Sequence, residues 1–241
     1  MKISIIVRFY NEENYIGNAI DRIISSDTLG FKKEVILVDD GSTDESVKKI
    51  KRIINNKKFN NITFDLIQNN KNEGKGSSLK KGFLKSTGDI VLVQDADLEY
   101  NPEDYPHLLE PFMKNNADIV YGSRLISNRP HRVLYFWHYV GNSFLTIFSN
   151  IFTNLNLTDM ETGYKVFKGK ILRNIAINLI SERFGFEPEI TAKISNIKDI
   201  RIFEVGITYQ GRTYAEGKKV GWTDGLKAIG EIIKFNLFNK K

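Results

Sequence analysis

The sequence predicts an α/β domain built on a mostly parallel central sheet with helices on both faces, and amphipathic helices toward its C-terminal end. Three observations carry this expectation. Short apolar, β-rich runs recur along the first half. Segments with a helical apolar period separate them, and every unusual polar cluster of that half directly follows one of the runs. Strands that are apolar throughout, rather than alternating, are those buried on both faces, as in parallel sheets.

The strand-like runs are Ile3–Val7, Val35–Val38, Ile62–Ile67, Ile90–Val93 and Ile119–Tyr121. Between them the helical period appears at Ile16, Ile20, Ile23 and Ile24, then at Val47, Ile50 and Ile54, then at Leu79 and Phe83, then at Leu108, Leu109 and Phe112. Asn11 before Glu12 and Glu13, and Ser42 to Asp44 before the second helix, supply helix-start chemistry. After Arg124 the pattern changes to a loop, an aromatic helix within 133–155, a helix-like stretch Ile171–Ile180, a strand-like run Ile202–Tyr209 and a basic loop Arg212–Lys219. The tail keeps an apolar helical period through Trp222, Leu226, Ile229, Ile233 and Leu237, with lysines opposite. The expected division is a domain over 1–215, with a first half 1–124 and a second half 125–215, followed by a basic loop and amphipathic helix over 216–241.

With 241 residues, 41% hydrophobic and 27% charged, the chain has an ordinary globular balance and neither a fibrous nor a disordered composition. The net charge of +6 favours an anionic partner. The absence of cysteine excludes disulfides, thiolate metal sites and cysteine nucleophiles. No run reaches the roughly 18–20 apolar residues a membrane span needs. The aromatic helix is two-sided, with His138, Asn142, Thr146, Ser149 and Thr153 on one face and Trp137, Val140, Phe144, Phe148, Ile151 and Leu155 on the other. A strand-like start with no signal-peptide pattern favours the cytoplasm. A nucleic-acid module is not expected, because no known module pattern occurs and the lysines are not interleaved with stacking aromatics.

In a parallel sheet, ligands bind beyond the carboxyl ends of the strands. There lie Tyr10-Asn11-Glu12-Glu13, Asp39-Asp40-Gly41-Ser42, the loop Asn72-Glu73-Gly74-Lys75-Gly76, Asp95-Ala96-Asp97 and Gly122-Ser123-Arg124, all on one edge. In extended geometry Asp95 and Asp97 share a face, so both carboxylates can address one hard cation, Mg²⁺ or Mn²⁺, with Glu99 as a third oxygen source. Asp40 can accept hydrogen bonds from a nucleotide base or ribose. The glycines flanking Lys75 admit either close approach of a nucleotide or an ordinary loop–helix junction. Arg124, Arg212, Lys218 and Lys219 supply positive charge for phosphates.

Eight strings in order, VRFYNEE (7–13), VDDGSTD (38–44), NEGKGSSLKKGF (72–83), QDADLEY (94–100), YGSR (121–124), TGYKVF (162–167), GFEPE (185–189) and RTYAEGKK (212–219), resemble family 2 glycosyltransferases of the Rossmann-like GT-A fold, specifically the dolichol- and polyprenyl-phosphate mannose or glucose synthases. The resemblance implies that Asp95, Asp97 and Glu99 hold the metal with the donor diphosphate, that Tyr10, Glu12, Asp40, Lys75 and Ala96 line the donor site, and that Arg124, Arg212 and Lys218 handle donor and acceptor phosphates. It departs at Arg8-Phe9, where the family commonly has Pro-Ala, and at Pro188, where an apolar or aromatic residue is more usual. The implied reaction is inverting transfer of a hexose from a nucleotide-diphosphate sugar, UDP-glucose or GDP-mannose, to a lipid phosphate at the cytoplasmic membrane face. Arg132 and His138 are further candidates for meeting that phosphate. The alternative is a saccharide hydroxyl acceptor, which needs a carboxylate base from Glu187, Glu189 or Asp159.

Overall fold

The computed structural model describes residues 1–56, 59, 61–126, 129–133, 135–183, 185–213 and 222–238, with the side chains of residues 56, 222–224 and 226 left aside. A seven-stranded sheet in the order β3-β2-β1-β4-β6-β5-β7 forms its centre. The first four strands, β1 (Lys2–Phe9), β2 (Lys32–Asp39), β3 (Ile62–Gln68) and β4 (Ile90–Asp95), are those the apolar runs predict. They pair in parallel, with Arg8 opposite Asp95 and Phe9 opposite Asp39 at their carboxyl ends. β5 (Ile119–Ser123) and β7 (Ile202–Gly206) pair in parallel at the far edge.

Successive β1 residues point to opposite faces. Ile3, Ile5, Val7 and Phe9 join α1 (Ile16–Ser25), α2 (Ser46–Asn56) and α4 (Tyr105–Lys114) in one core. Ile6, with Ile36 and Val38 of β2, joins the other core. That core is covered by α3 (Lys75–Lys85), α5 (Phe136–Thr153), α6 (Gly169–Ile177), α7 (Phe186–Ser195) and α8 (Trp222–Ile233), the last continuing into a π-helical turn at Lys234–Phe238.

Two expectations change. β6 (Lys165–Lys168), antiparallel between β4 and β5, has no counterpart among the expected strands. Four residues with lysine at both ends offer no apolar run long enough to detect. β6 and β7, from the second half of the chain, insert into the same sheet as the strands of the first half. Asn11 does not cap α1: it sits at φ 50°, its Oδ1 accepts from Thr43 N at 2.9 Å, and the helix starts only at Ile16. Asp44 behaves as expected, accepting from Ser46 N at 3.0 Å at the start of α2.

The two-sided helix α5 turns its polar side inward. Thr146, Ser149 and Thr153 are buried, while Trp137 and Ile151 are 78% and 71% exposed. The polar face turns inward because it organises the loop after the helix. Thr146 Oγ1 accepts from Met160 N at 3.1 Å, and Asn150 exchanges hydrogen bonds with the Leu157 backbone.

Candidate active site

The carboxyl edge of the sheet gathers acidic and basic side chains around a cleft of about 500 Å³ lined by Tyr15, Asp97, His131, Arg132, Tyr209 and Arg212 among others. β4 ends at Asp95, and the chain turns at once through Ala96 and Asp97, with Leu98 at φ 63°. Asp97 is therefore delivered by a tight turn, not by the extended geometry expected for the acidic triplet. Ala96 itself is core, 2% exposed, and can offer a ligand only its backbone.

Each carboxylate of this turn faces a cation. Asp95 Oδ2 lies 3.5 Å from Lys75 Nζ, which also pairs with Glu187 at 2.9 Å. Burial alone would lower the Lys75 ammonium, but Asp95 and Glu187 outweigh it and hold it well above the usual lysine range. Arg212 meets Asp97 at 3.3 Å, Glu99 at 3.4 Å and Glu12 at 3.7 Å, with its guanidinium 5.4 Å from the Tyr15 ring centre. Burial, reinforced by the charges of Asp95 and Glu99, pushes the Asp97 carboxyl up to about 7 in spite of Arg212. Crowding of this kind is the electrostatic setting a hard divalent cation relieves.

Glu99 Oε2 accepts from Tyr209 OH at 2.8 Å, and its Oε1 accepts from Arg212 N at 2.9 Å. Both oxygens hold the Arg212 segment, and Asp97 is engaged in the same way, its Oδ1 accepting from Glu99 N at 3.1 Å and its Oδ2 from Arg212 at 3.3 Å. Among the described residues no three carboxylate or imidazole groups converge to hold an ion by themselves. The pair Asp95 and Asp97, completed by a ligand's own oxygens, is the donor set that fits.

Arg124, directly after β5, is clamped by Asp159. Nε and Nη2 reach its two oxygens at 2.7 Å each, and the Arg124 backbone N–H adds a third bond at 3.0 Å. The guanidinium sits 5.3 Å from the Tyr209 ring centre, facing the cleft wall. Burial would raise the Asp159 carboxyl, but Arg124 outweighs it and holds it below its ordinary value. Glu189 is fully buried and accepts from Ile180 N at 2.9 Å and Ser181 N at 2.7 Å.

The glycines around Lys75 serve packing, not nucleotide approach. A Cβ at Gly76 would stand 2.1 Å from Ser181 O, and one at Gly74 2.3 Å from Glu182 O. The structure thus brings together Glu12, Lys75, Asp95, Asp97, Arg124 and Arg212. Tyr10 lies beside Arg8, and Lys218 and Lys219 fall outside the described residues.

A family model described as glycosyl transferase family 2 matches residues 4–176 of this chain. The chain belongs to glycosyl transferase family 2. It is 30% identical over 255 residues to a dolichyl-phosphate beta-glucosyltransferase of Dictyostelium discoideum, covering 96% of this chain and 73% of that one. It is 25% identical over 237 residues to a dolichol-phosphate mannosyltransferase of Pyrococcus furiosus, of which it spans 64% while 98% of this chain is covered. Among solved structures, glucosyl-3-phosphoglycerate synthase from Mycobacterium tuberculosis, crystallised with Mn²⁺, UDP and phosphoglyceric acid, superposes with a TM-score of 0.71 at 18% identity. That superposition covers 98% of this chain and 78% of that one. It establishes the shared GT-A-like fold.

This family 2 glycosyltransferase has site residues that no motif announced. Tyr209 and Tyr15 flank the two arginines, and His131 lines the cleft beside Arg132, itself a candidate from the sequence. Tyr209 lies at the end of a strand-like run, and its backbone bridges to Tyr100 and His131, with its hydroxyl bond to Glu99, carry it to the site. A second buried cluster lies beside Lys75. Lys165, lowered to about 8 chiefly by burial, donates to Thr162 O, and Glu161 is raised to about 7 by burial and by the charge of Glu187.

Proposed function

We propose that this chain transfers a hexose, with inversion, from a nucleotide-diphosphate sugar to a polyprenyl or dolichyl phosphate, using Mg²⁺ or Mn²⁺. The observation that carries this choice of acceptor is the state of the carboxylates that a hydroxyl acceptor would need. Asp159 is bound bidentately by Arg124, Glu189 is spent on two backbone N–H groups, and Glu187 is ion-paired with Lys75. None of the three is placed to take a proton. A phosphate monoester has a second pKa of about 6, so its oxygen is already a nucleophile near neutral pH and needs no base.

Asp95 and Asp97 would hold the metal, which would supply positive charge for the departing diphosphate. Arg212, reaching Asp97, Glu99 and Glu12 at once, sits where it can follow that charge. Arg132 lines the cleft and Arg124 lies behind its wall at Tyr209, and these are the cations proposed to meet the acceptor phosphate. The acceptor oxygen forms its bond to the anomeric carbon as the bond from that carbon to the diphosphate oxygen breaks. The diphosphate leaves with the electron pair on the opposite face of the sugar.

No helix among the described residues is long and apolar enough to cross a membrane. The exposed apolar side of α5, running directly from the cleft-lining segment 130–132, supports peripheral contact with the cytoplasmic membrane face, where a polyprenyl phosphate presents its head group. The deciding experiment supplies radiolabelled nucleotide sugars with a polyprenyl phosphate and separates products between water and organic solvent. Label that enters the organic phase only with divalent metal present supports the proposal. Label found only on a water-soluble saccharide would assign the hydroxyl-acceptor alternative instead.

A further inference from the structure

Asp40 is the residue expected to touch the nucleotide's base or ribose, yet its carboxylate is closed to any ligand. It is 0% exposed. Oδ1 accepts from Glu73 N at 2.8 Å, Gly74 N at 3.2 Å and Asn69 Nδ2 at 3.3 Å. Oδ2 accepts from Gly74 N at 3.2 Å and from the Arg8 guanidinium. The polar groups around it are similarly spent. Asn69 Oδ1 accepts from Lys81, and Glu73 pairs with Lys81 at 2.7 Å and accepts from Ser77. Among the described residues, the side-chain acceptors of Asp40, Asn69 and Glu73 are thus engaged.

Donors are in surplus. Arg8 carries five N–H donors, of which one described bond, to Asp40, occupies a terminal nitrogen. Nε is buried with no partner among the described residues, and the side chain remains 23% exposed beside the Tyr10 ring. Arg8 is also placed where a nucleoside must lie. It is the register partner of Asp95 across β1 and β4, the two strands between which the order 3-2-1-4 reverses direction. Ligands of such sheets lie across that reversal. With a diphosphate at Asp95 and Asp97, the way toward β6 and β5 is occupied by Lys75, Glu187, Arg124 and Asp159, so the nucleoside extends over Arg8 toward β2.

We propose that Arg8, held from behind by Asp40, contacts the nucleobase and selects one with two adjacent acceptors, making the donor a guanosine-diphosphate sugar. Guanine offers O6 and N7 side by side, the pair a guanidinium fork addresses bidentately. Uracil interposes the N3–H donor between its carbonyls, and the carboxylate that would accept that proton is sealed. Adenine places an amino donor next to N7. This inference rests on the nucleotide-sugar function proposed above and deepens it by naming the base.

The test uses the wild-type chain, with calorimetric titration of GDP, UDP and 7-deaza-GDP in the presence of Mg²⁺. GDP is expected to bind about tenfold or more tighter than UDP, and 7-deaza-GDP, which lacks only the N7 acceptor, to lose a similar factor. In Arg8→Gln, checked for folding by its thermal melt, the difference between GDP and 7-deaza-GDP should vanish. If that variant does not fold, the wild-type analogue series decides alone. UDP binding as tightly as GDP, or 7-deaza-GDP binding as tightly as GDP, overturns the role of Arg8 and leaves the transferase function standing. Binding of none of the three overturns both.

Discussion

Replacing Arg124 by Ala should destabilise the protein before any effect on phosphate handling can be read. Asp159, fully buried, would lose two charge-assisted bonds at 2.7 Å and keep a single backbone donor at 3.0 Å. Removing one partner of a buried pair costs about 3–5 kcal/mol, because the other charge stays desolvated. For a chain of this size each kcal/mol moves Tm by about 2–4 °C, so a drop of roughly 6–20 °C is expected. Asp159→Ala alone should cost a similar amount, and the double variant less than the sum, with a coupling energy of about 2–3 kcal/mol by urea unfolding. The pH dependence follows from the depressed Asp159 carboxyl. Its folded value lies below its unfolded one, so the stabilisation is present above the ordinary carboxylate range and lost as pH falls through the folded value. Coupling should thus be full at pH 7 and shrink in acid. Additive single effects at pH 7 would refute the clamp. Arg124→Lys, which keeps charge but not the fork, should recover only part of the loss.

Asp97→Asn should abolish metal-dependent nucleotide binding by calorimetry while raising Tm at pH 8 relative to wild type. With a carboxyl pushed up to about 7, the ionised form disfavours folding, and that penalty grows as pH rises from about 4 through 7; near pH 4 the gain should disappear. Gly76→Ala, whose Cβ would meet Ser181 O at 2.1 Å, should lower Tm, whereas Gly17→Ala in α1, with open space around its Cβ, should raise stability by about 0.5–1 kcal/mol. Joint Trp137→Ser and Ile151→Ser, both on the exposed side of α5, should reduce co-sedimentation with phospholipid vesicles and leave Tm within about 2 °C of wild type, since neither side chain is core. Unchanged sedimentation would remove α5 from the membrane contact.

Much of this molecule follows from one-dimensional pattern. The apolar runs of β1, β2, β4 and β5, buried on both faces, could be read because burial on both sides leaves no room for polar alternation. Asp95, Asp97, Arg124 and Lys75 could be placed at one edge because parallel strands all present the same end there. Spacing alone could not say which charges meet. Glu99 binds the Arg212 segment 113 residues away, Arg124 binds Asp159 across 35, and Arg8 seals Asp40 across 32. Those pairings depend on strand order, and in particular on the short antiparallel β6, which carries no readable pattern yet sets how far β5 and its arginine stand from β4. The orientation of α5 is of the same kind: its amphipathic period is in the sequence, but which face turns inward was decided by the loop at Leu157 to Met160, whose backbone needed the polar side. The sequence by itself determined the fold class, the acidic turn and the edge of the sheet where chemistry occurs. Tertiary structure decided which carboxylates are spent on structure and which remain for a ligand, because a side chain's availability depends on partners that only folding brings within hydrogen-bond reach.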